Sequence, residues 1–326
     1  MSKVFITGGA GFIGSYVCRK LLEMGHDVTV YDAFIQYISP LKSILKDYTE
    51  LRFEGIADQI DFRRGDTRDK AHLRRVILET RPDRILHLAA LPIADLSNRH
   101  SEEALTSILE GAVNVLEVLR DVDFVDRFVY ISSSMIYGDF EIIPAPEDHP
   151  KRPKDIYGGT KYAGEVMTET YSRRYGIPYS IVRPSAVYGP FDVNRRVSQI
   201  FVENALLGKS ITLFGGGHQA LDFTFVEDAA DGIIKVMFHE NGEGNAFNIT
   251  YGQGYTLREL AEILKTHFPD LDVNIVKEDD FFRPKRGALS IEKAKKLVGY
   301  DPQYTLDKGI KRYLDVYRNL EVFNHK

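Results

Sequence analysis

A short apolar run, Val4-Phe5-Ile6-Thr7, breaks into Gly8-Gly9-Ala10-Gly11-Phe12-Ile13-Gly14 and continues as an apolar helical pattern. Strand, spaced glycines and helix in that order leave a chain few options. Glycine at these positions lets the turn tighten, lets backbone approach a phosphate and lets the helix pack on the strand, while the helix N-terminus favours negative charge. Gly8, Gly11, Phe12, Ile13 and Gly14 are therefore expected to hold the pyrophosphate of a dinucleotide. A glycine fingerprint alone is weak, and a second pattern downstream strengthens it. Ser132-Ser133-Ser134 closes another β-type run, and Tyr157 and Lys161 stand one helical turn apart. Together the two patterns point to hydride chemistry on an alcohol.

Apolar β-type runs at 4–6, 27–31, 61–63, 84–88, 127–132 and 179–182 alternate with helical stretches around 14–24, 69–79, 101–119 and 156–175. That alternation predicts an α/β fold, a Rossmann-type doubly wound parallel sheet with the ligand crevice at the carboxyl ends of the strands. After Arg183-Pro184 the pattern becomes turn-rich, with a β-run at 222–226 and helices near 195–207, 227–238, 256–266 and 290–297. These segments predict a smaller C-terminal α/β lobe over the crevice. The expected division is 1–183 for the cofactor-binding lobe, with a return of about 222–248, and 184–326 mainly for the substrate-binding lobe. Residues 34–60 form an irregular excursion near the adenosine end of the cofactor site.

Composition excludes several classes. With 44% hydrophobic residues and a net charge of −5, the 326-residue chain suits a large core and has no global field to attract nucleic acid. No apolar run approaches the roughly 20 residues of a membrane span, so a cytoplasmic protein without a membrane partner is expected. The single Cys18 excludes an internal disulfide and a thiolate metal cage, and its place on the first apolar helix reads as core. No spacing of His, Cys, Asp and Glu suggests a metal. His87, within an apolar β-run, reads as structural.

Asp32 ends the second β-run, where a carboxylate accepts from the adenosine ribose hydroxyls and repels a 2′-phosphate, so NAD is expected rather than NADP. Asp66 follows the third run and either reaches the adenine or caps the helix beginning near Asp69. Tyr157 and Lys161 share one helix face. A phenol is a poor base at neutral pH, and a neighbouring ammonium favours the phenolate. Tyr157 is thus the expected base, and Lys161 both acidifies it and holds the nicotinamide ribose. Ser133 is expected to orient the substrate oxygen, with Ser134 and Met135 on the substrate side. A thioether cannot shuttle a proton, and elimination of water calls for a carboxyl there.

These residues resemble the extended short-chain dehydrogenase/reductase family, in particular its NAD-dependent nucleotide-sugar epimerases and dehydratases. The resemblance runs from Thr7–Gly14 through Leu88-Ala89-Ala90, Ser132-Ser133-Ser134, Tyr157/Lys161, Arg183-Pro184 and Val187-Tyr188-Gly189-Pro190. It continues in Asp222-Phe223-Thr224-Phe225-Val226-Glu227-Asp228 and Leu297-Val298-Gly299-Tyr300. It implies a first lobe holding NAD with help from Leu88, Ala89 and Ala90, a second lobe for a nucleotide-diphosphate sugar, and a homodimer formed through a four-helix bundle. It also implies epimerisation through a transient keto-sugar, C4 inversion of a UDP-hexose or its uronate being the expected case.

A dehydratase or net oxidoreductase of the same fold is the rival reading, and an NAD-sensing protein without catalysis a third. Ala186 and Ile108 stand where relatives commonly have Asn, and Leu221 where they have Arg. The expected substrate contacts are Ser134, Met135, Ala186, Arg195, Leu221 and Arg283. Arg196, Lys285 and Arg286 are further candidate partners of the diphosphate.

Overall fold

The computed structural model describes residues 1–37, 44–45, 48–278 and 283–323. Residues 38–43 and 46–47 of the expected 34–60 excursion lie outside the described residues. In chain order the first six strands are β1 (Lys3–Thr7), β2 (Asp27–Asp32), β3 (Ile60–Arg64), β4 (Arg84–His87), β5 (Arg127–Ile131) and β6 (Tyr179–Pro184). They are followed by β7 (Val187–Tyr188), β8 (Ile211–Leu213), β9 (Ala220–Asp222), β10 (Thr224–Phe225), β11 (Asn245–Ile249), β12 (Gly254–Thr256) and β13 (Val273–Ile275).

Seven strands form one parallel sheet in the order β11-β6-β5-β4-β1-β2-β3. This is the expected Rossmann-type α/β fold. Its inner strands β1, β4 and β5 are buried on both faces, which is why they read as apolar runs, whereas the edge strand β3 is partly exposed. Val4 and Ile6 of β1 pack with Val17, Cys18 and Leu21 of the helix Phe12–Glu23 and with Ile233 of the helix Val226–Phe238. Phe5, between them, faces the opposite layer with Leu73, Val115 and Leu116 from the helices Lys70–Thr80 and Gly111–Leu119. The chain leaves β1 toward β2 on one side and returns at β4 on the other, so a crevice opens between β1 and β4 at their carboxyl ends.

A second apolar core gathers Tyr188, Phe201, Leu213, Phe223, Leu260 and Leu314 under the short pairs β8/β13 and β9/β12. The C-terminal helix Leu306–Arg318 belongs to this core and was not among the expected elements. Its buried Ile310, Tyr313, Leu314 and Tyr317 recur at helical spacing, a signal present in the sequence. Two other expectations are corrected. The helix expected over 101–119 changes geometry, running as α-helix at Ser101–Ala104, π-helix at Leu105–Glu110 and α-helix at Gly111–Leu119. The β-run expected over 222–226 divides, because β9 pairs with β12 and β10 pairs with β7. At the division the buried Asp222 carboxylate accepts backbone N–H groups of Tyr251, Gly252 and Leu289. No helix of the described residues is long and apolar enough to cross a membrane.

Candidate active site

The glycine-rich turn sits at the carboxyl end of β1. Gly8 has φ 71°, donates its N–H to the Tyr31 carbonyl at 2.9 Å, and a Cβ there would stand 2.6 Å from the Ala89 nitrogen. Only glycine lets the turn press so closely on the segment after β4. Together with Gly11, Phe12, Ile13 and Gly14 it forms one wall of a cleft of 310 Å³, whose other walls include Asp32, Asp66, Leu88, Ala89 and Ala90. Asp32 accepts from the Ala10 nitrogen at 3.0 Å and the Phe34 nitrogen at 2.8 Å, so the carboxylate also braces the turn. Burial pushes its pKa up, against those N–H groups and the Arg52 charge. Asp66 accepts from the Arg68 guanidinium at 2.6 Å, and the helix that follows is capped by Asp69 instead.

Residues outside the expected cofactor contacts also line this cleft, among them Arg52, Ser107, Asn194 and Arg196. The Ser107 hydroxyl is buried without a hydrogen-bond partner among the described residues. A buried orphan hydroxyl, a turn that a Cβ would fill and a carboxylate at the end of β2 together fit a dinucleotide. The π-helical turn that carries Ser107 was not legible in apolar spacing.

Beyond β5 the Ser133 hydroxyl opens a single tight turn, Ser134–Tyr137, by accepting from the Met135 nitrogen at 3.2 Å. Tyr157 lies in the first turn of the helix Ile156–Tyr175, whose N-cap Asp155 accepts from the Gly158 nitrogen at 2.6 Å. A Cβ on Gly158 would stand 2.7 Å from the Met135 carbonyl oxygen, so glycine here lets the helix close on the Ser133 turn. Lys161, 3% exposed, donates from Nζ to the Ile131 carbonyl at 2.8 Å. Burial lowers its pKa to about 7, with Glu165 opposing the shift.

Burial raises the Tyr157 pKa, while Arg196 and then the Ser133 hydroxyl pull it down. The Lys161 Nζ lies 5.9 Å from the Tyr157 ring centroid. Arg196 is held by Asp192 at 2.8 Å and donates to the Pro92 carbonyl at 3.3 Å. His87 is structural. Its Nδ1 meets the Thr7 hydroxyl at 2.8 Å, and burial lowers its pKa to about 3, keeping it neutral.

Comparison with known proteins agrees with this geometry. A model of the NAD dependent epimerase/dehydratase family matches residues 4–250. The chain belongs to that family. Its relatives include a UDP-glucose 4-epimerase of Mycolicibacterium smegmatis, 30% identical, covering 97% of this chain and 99% of the relative. A dTDP-glucose 4,6-dehydratase of Neisseria meningitidis serogroup B is 28% identical over 97% of this chain and 93% of its own. Among solved structures, a UDP-glucuronic acid 4-epimerase from Bacillus cereus, in complex with UDP-glucuronic acid and NAD, superposes with a TM-score of 0.87. It has 27% identity and covers 96% of this chain and 98% of the other. The dinucleotide of this NAD-dependent family is NAD.

Family membership does not reach the substrate contacts, and the structure separates them. Ser134 is buried beside Ser133, and Met135 follows it in the same turn. Ala186 adopts φ 37°, in the left-handed region. Leu221 is 6% exposed, opposite Tyr255 in the second core, and has little surface to offer a ligand. Arg195 turns to Glu203 at 3.7 Å, whereas its neighbour Arg196 lines the cleft. Arg283 is exposed, the Lys285 backbone N–H donates to Asp139 at 2.8 Å, and Arg286 feels the Asp155 carboxylate at the helix N-terminus. Ile108 is fully buried and packs with Leu91 and Ala104 in a cluster that includes Tyr157.

Proposed function

We propose that this enzyme is an epimerase of a nucleotide-diphosphate sugar, inverting one sugar centre, with C4 the expected position, through a transient keto-sugar. The observation that carries the reading is the convergence of Ser133, Tyr157 and Lys161, with Tyr157 in one apolar cluster with Ala90, which lines the cofactor cleft. Bound NAD supplies the hydride acceptor and donor. Tyr157 takes the proton of the substrate hydroxyl and later returns it. Ser133 orients the same oxygen through its hydroxyl, and Arg196 favours the phenolate form of Tyr157. Lys161, anchored on the Ile131 carbonyl with its Nζ 5.9 Å from the Tyr157 ring centroid, would hold the nicotinamide ribose. Met135 offers no group for elimination of water, which favours epimerisation over dehydration.

The test is to incubate the protein, without added cofactor, with a panel of UDP-, GDP-, dTDP- and CDP-sugars and to follow products by mass spectrometry and proton NMR. A product of unchanged mass with one inverted centre is expected. Loss of water or of two hydrogens, or turnover only with supplied cofactor, moves the assignment to a dehydratase or a net oxidoreductase.

We further infer a homodimer formed through the helix Ile156–Tyr175 and its neighbour. Support comes from the exposed apolar side chains Leu105, Val166 and Tyr175, at 50%, 44% and 47% exposure, on helices that pack against each other. Light scattering of the protein and of Val166→Glu reads this directly, with the variant expected to be monomeric.

A further inference from the structure

The segment Pro190–Arg196, which enters the second lobe after β7, crosses the cofactor cleft, and Val193, Asn194 and Arg196 line it. Its first residues are pinned from three sides. The Tyr16 hydroxyl, on the helix after the glycine-rich turn, donates to the Pro190 carbonyl at 3.2 Å. The Tyr317 hydroxyl of the C-terminal helix accepts from the Phe191 nitrogen at 3.1 Å. Arg52 donates to the Phe191 carbonyl from Nε at 3.2 Å and from Nη2 at 2.7 Å. Phe191 itself has φ 68°, a conformation that a bulky residue adopts only when its surroundings impose it.

Arg52 reaches in a second direction. Its Nη1 donates to the Ala10 carbonyl inside the glycine-rich turn at 3.0 Å. One guanidinium therefore joins the turn that faces a pyrophosphate to the segment that crosses the cleft. The residue is 6% exposed, stacks over the Tyr48 ring at 4.6 Å and forms no ion pair among the described residues. Asp192 and Asp32 lie within its field, but Asp192 is committed to Asn194 and Arg196, and Asp32 to the Ala10 and Phe34 nitrogens. Of the five N–H groups of an arginine, three are spent on carbonyls, and Arg52 is among the residues that line the cleft. A buried cation with unspent donors and no bonded carboxylate is matched by an anion such as the dinucleotide pyrophosphate.

We propose that Arg52 retains the cofactor: it clamps the glycine-rich turn to the Pro190–Arg196 segment and presents its remaining donors to the pyrophosphate enclosed between them. The proposal rests on the epimerase reading in one respect, that an enzyme which restores its cofactor in every turnover gains nothing by releasing it. Arg52 is a positioning residue, remote from the Ser133–Tyr157 chemistry, and its effect is on how long NAD stays.

The experiment compares wild type, Arg52→Met and Arg52→Lys, each purified as the NAD-loaded protein. Release of NAD is followed over time by rapid gel filtration and enzymatic assay of the released nucleotide, with no sugar present. Loss of a two-sided, charge-assisted contact acts mainly on the dissociation rate, so Arg52→Met is expected to release NAD about tenfold faster or more. Arg52→Lys keeps the charge but cannot span two carbonyls, and about threefold faster release is expected. Release from both variants within about twofold of wild type overturns the proposal. If Arg52→Met does not fold, as judged by circular dichroism, Arg52→Lys decides by the same limits. Because no turnover is read, an unchanged release rate leaves the epimerase assignment standing, and failure of that assignment leaves the release rates interpretable.

Discussion

Glu165 and Arg183 form a double ion pair one helical turn beyond Lys161, with Nε to Oε1 at 2.9 Å and Nη2 to Oε2 at 2.8 Å, both side chains less than 5% exposed. Arg183 also donates to the Tyr137 hydroxyl at 2.9 Å, and Tyr137 donates to Asn248 at 2.8 Å. The helix Ile156–Tyr175, the turn after Ser133 and β11 are thereby locked together. Glu165→Ala leaves the guanidinium buried and unpaired and is expected to cost about 3–5 kcal/mol in urea unfolding. Replacing Glu165 and Arg183 together by Gln and Met is expected to cost less than the single change. A single-variant loss below about 1 kcal/mol counts against the pair as a structural lock.

Lys161 makes stability depend on pH. Its pKa is lowered from 10.5 to about 7 in the folded protein, so between those values the unfolded chain binds more protons. Stability is expected to rise as pH increases from about 7 toward 10.5, and the penalty of the buried charge is complete below that window. Lys161→Met removes the contribution. Urea midpoints measured across the range are expected to be higher than wild type on the acid side and flatter with pH.

Tyr157→Phe removes the proton acceptor without changing the ring. Turnover is expected to fall by about 10²–10⁴-fold while the purified protein keeps its NAD. Substantial residual activity in a coupled assay would remove Tyr157 from the role of base.

Asp32 braces the turn through the Ala10 nitrogen and lines the cleft, where it is expected to meet the adenosine ribose of NAD. Asp32→Ala is expected to weaken NAD and to narrow its advantage over NADP by about tenfold, ~1.4 kcal/mol. Titration calorimetry with both nucleotides gives the ratio, and an unchanged ratio places the carboxylate outside the ribose contact.

Ala186 carries a strained backbone at φ 37°. Asn tolerates that region better than Ala and is expected to raise stability by about 0.5–1 kcal/mol, part of the roughly 1–2 kcal/mol that left-handed geometry costs. Ala186→Val is expected to lower it. Thermal unfolding of the pair tests the sign.

Local chemistry made much of this protein legible from its sequence. The glycine-rich turn, Asp32, and the Tyr157/Lys161 spacing all depend on residues close in the chain, and the inner strands β1, β4 and β5 follow from apolar runs that are buried on both faces. The residues that sequence reasoning missed work across long separations. Arg52 meets Phe191, and Asp222 holds Gly252 and Leu289. No local periodicity records such pairings. Arg195 and Arg196 show the limit most plainly, since the two arginines are adjacent and chemically alike, yet only Arg196 lines the cleft.

Taken alone, the sequence determined the fold class and the family, and made a glycine-rich turn and a candidate base legible, because backbone propensity and motif spacing act over a few residues. Tertiary structure alone decided that Arg196 rather than Arg195 lines the cleft, that Lys161 is buried against the Ile131 carbonyl, and that Leu221 is core. Those properties depend on burial and on distances between segments far apart in the chain, and they exist only once those segments have packed.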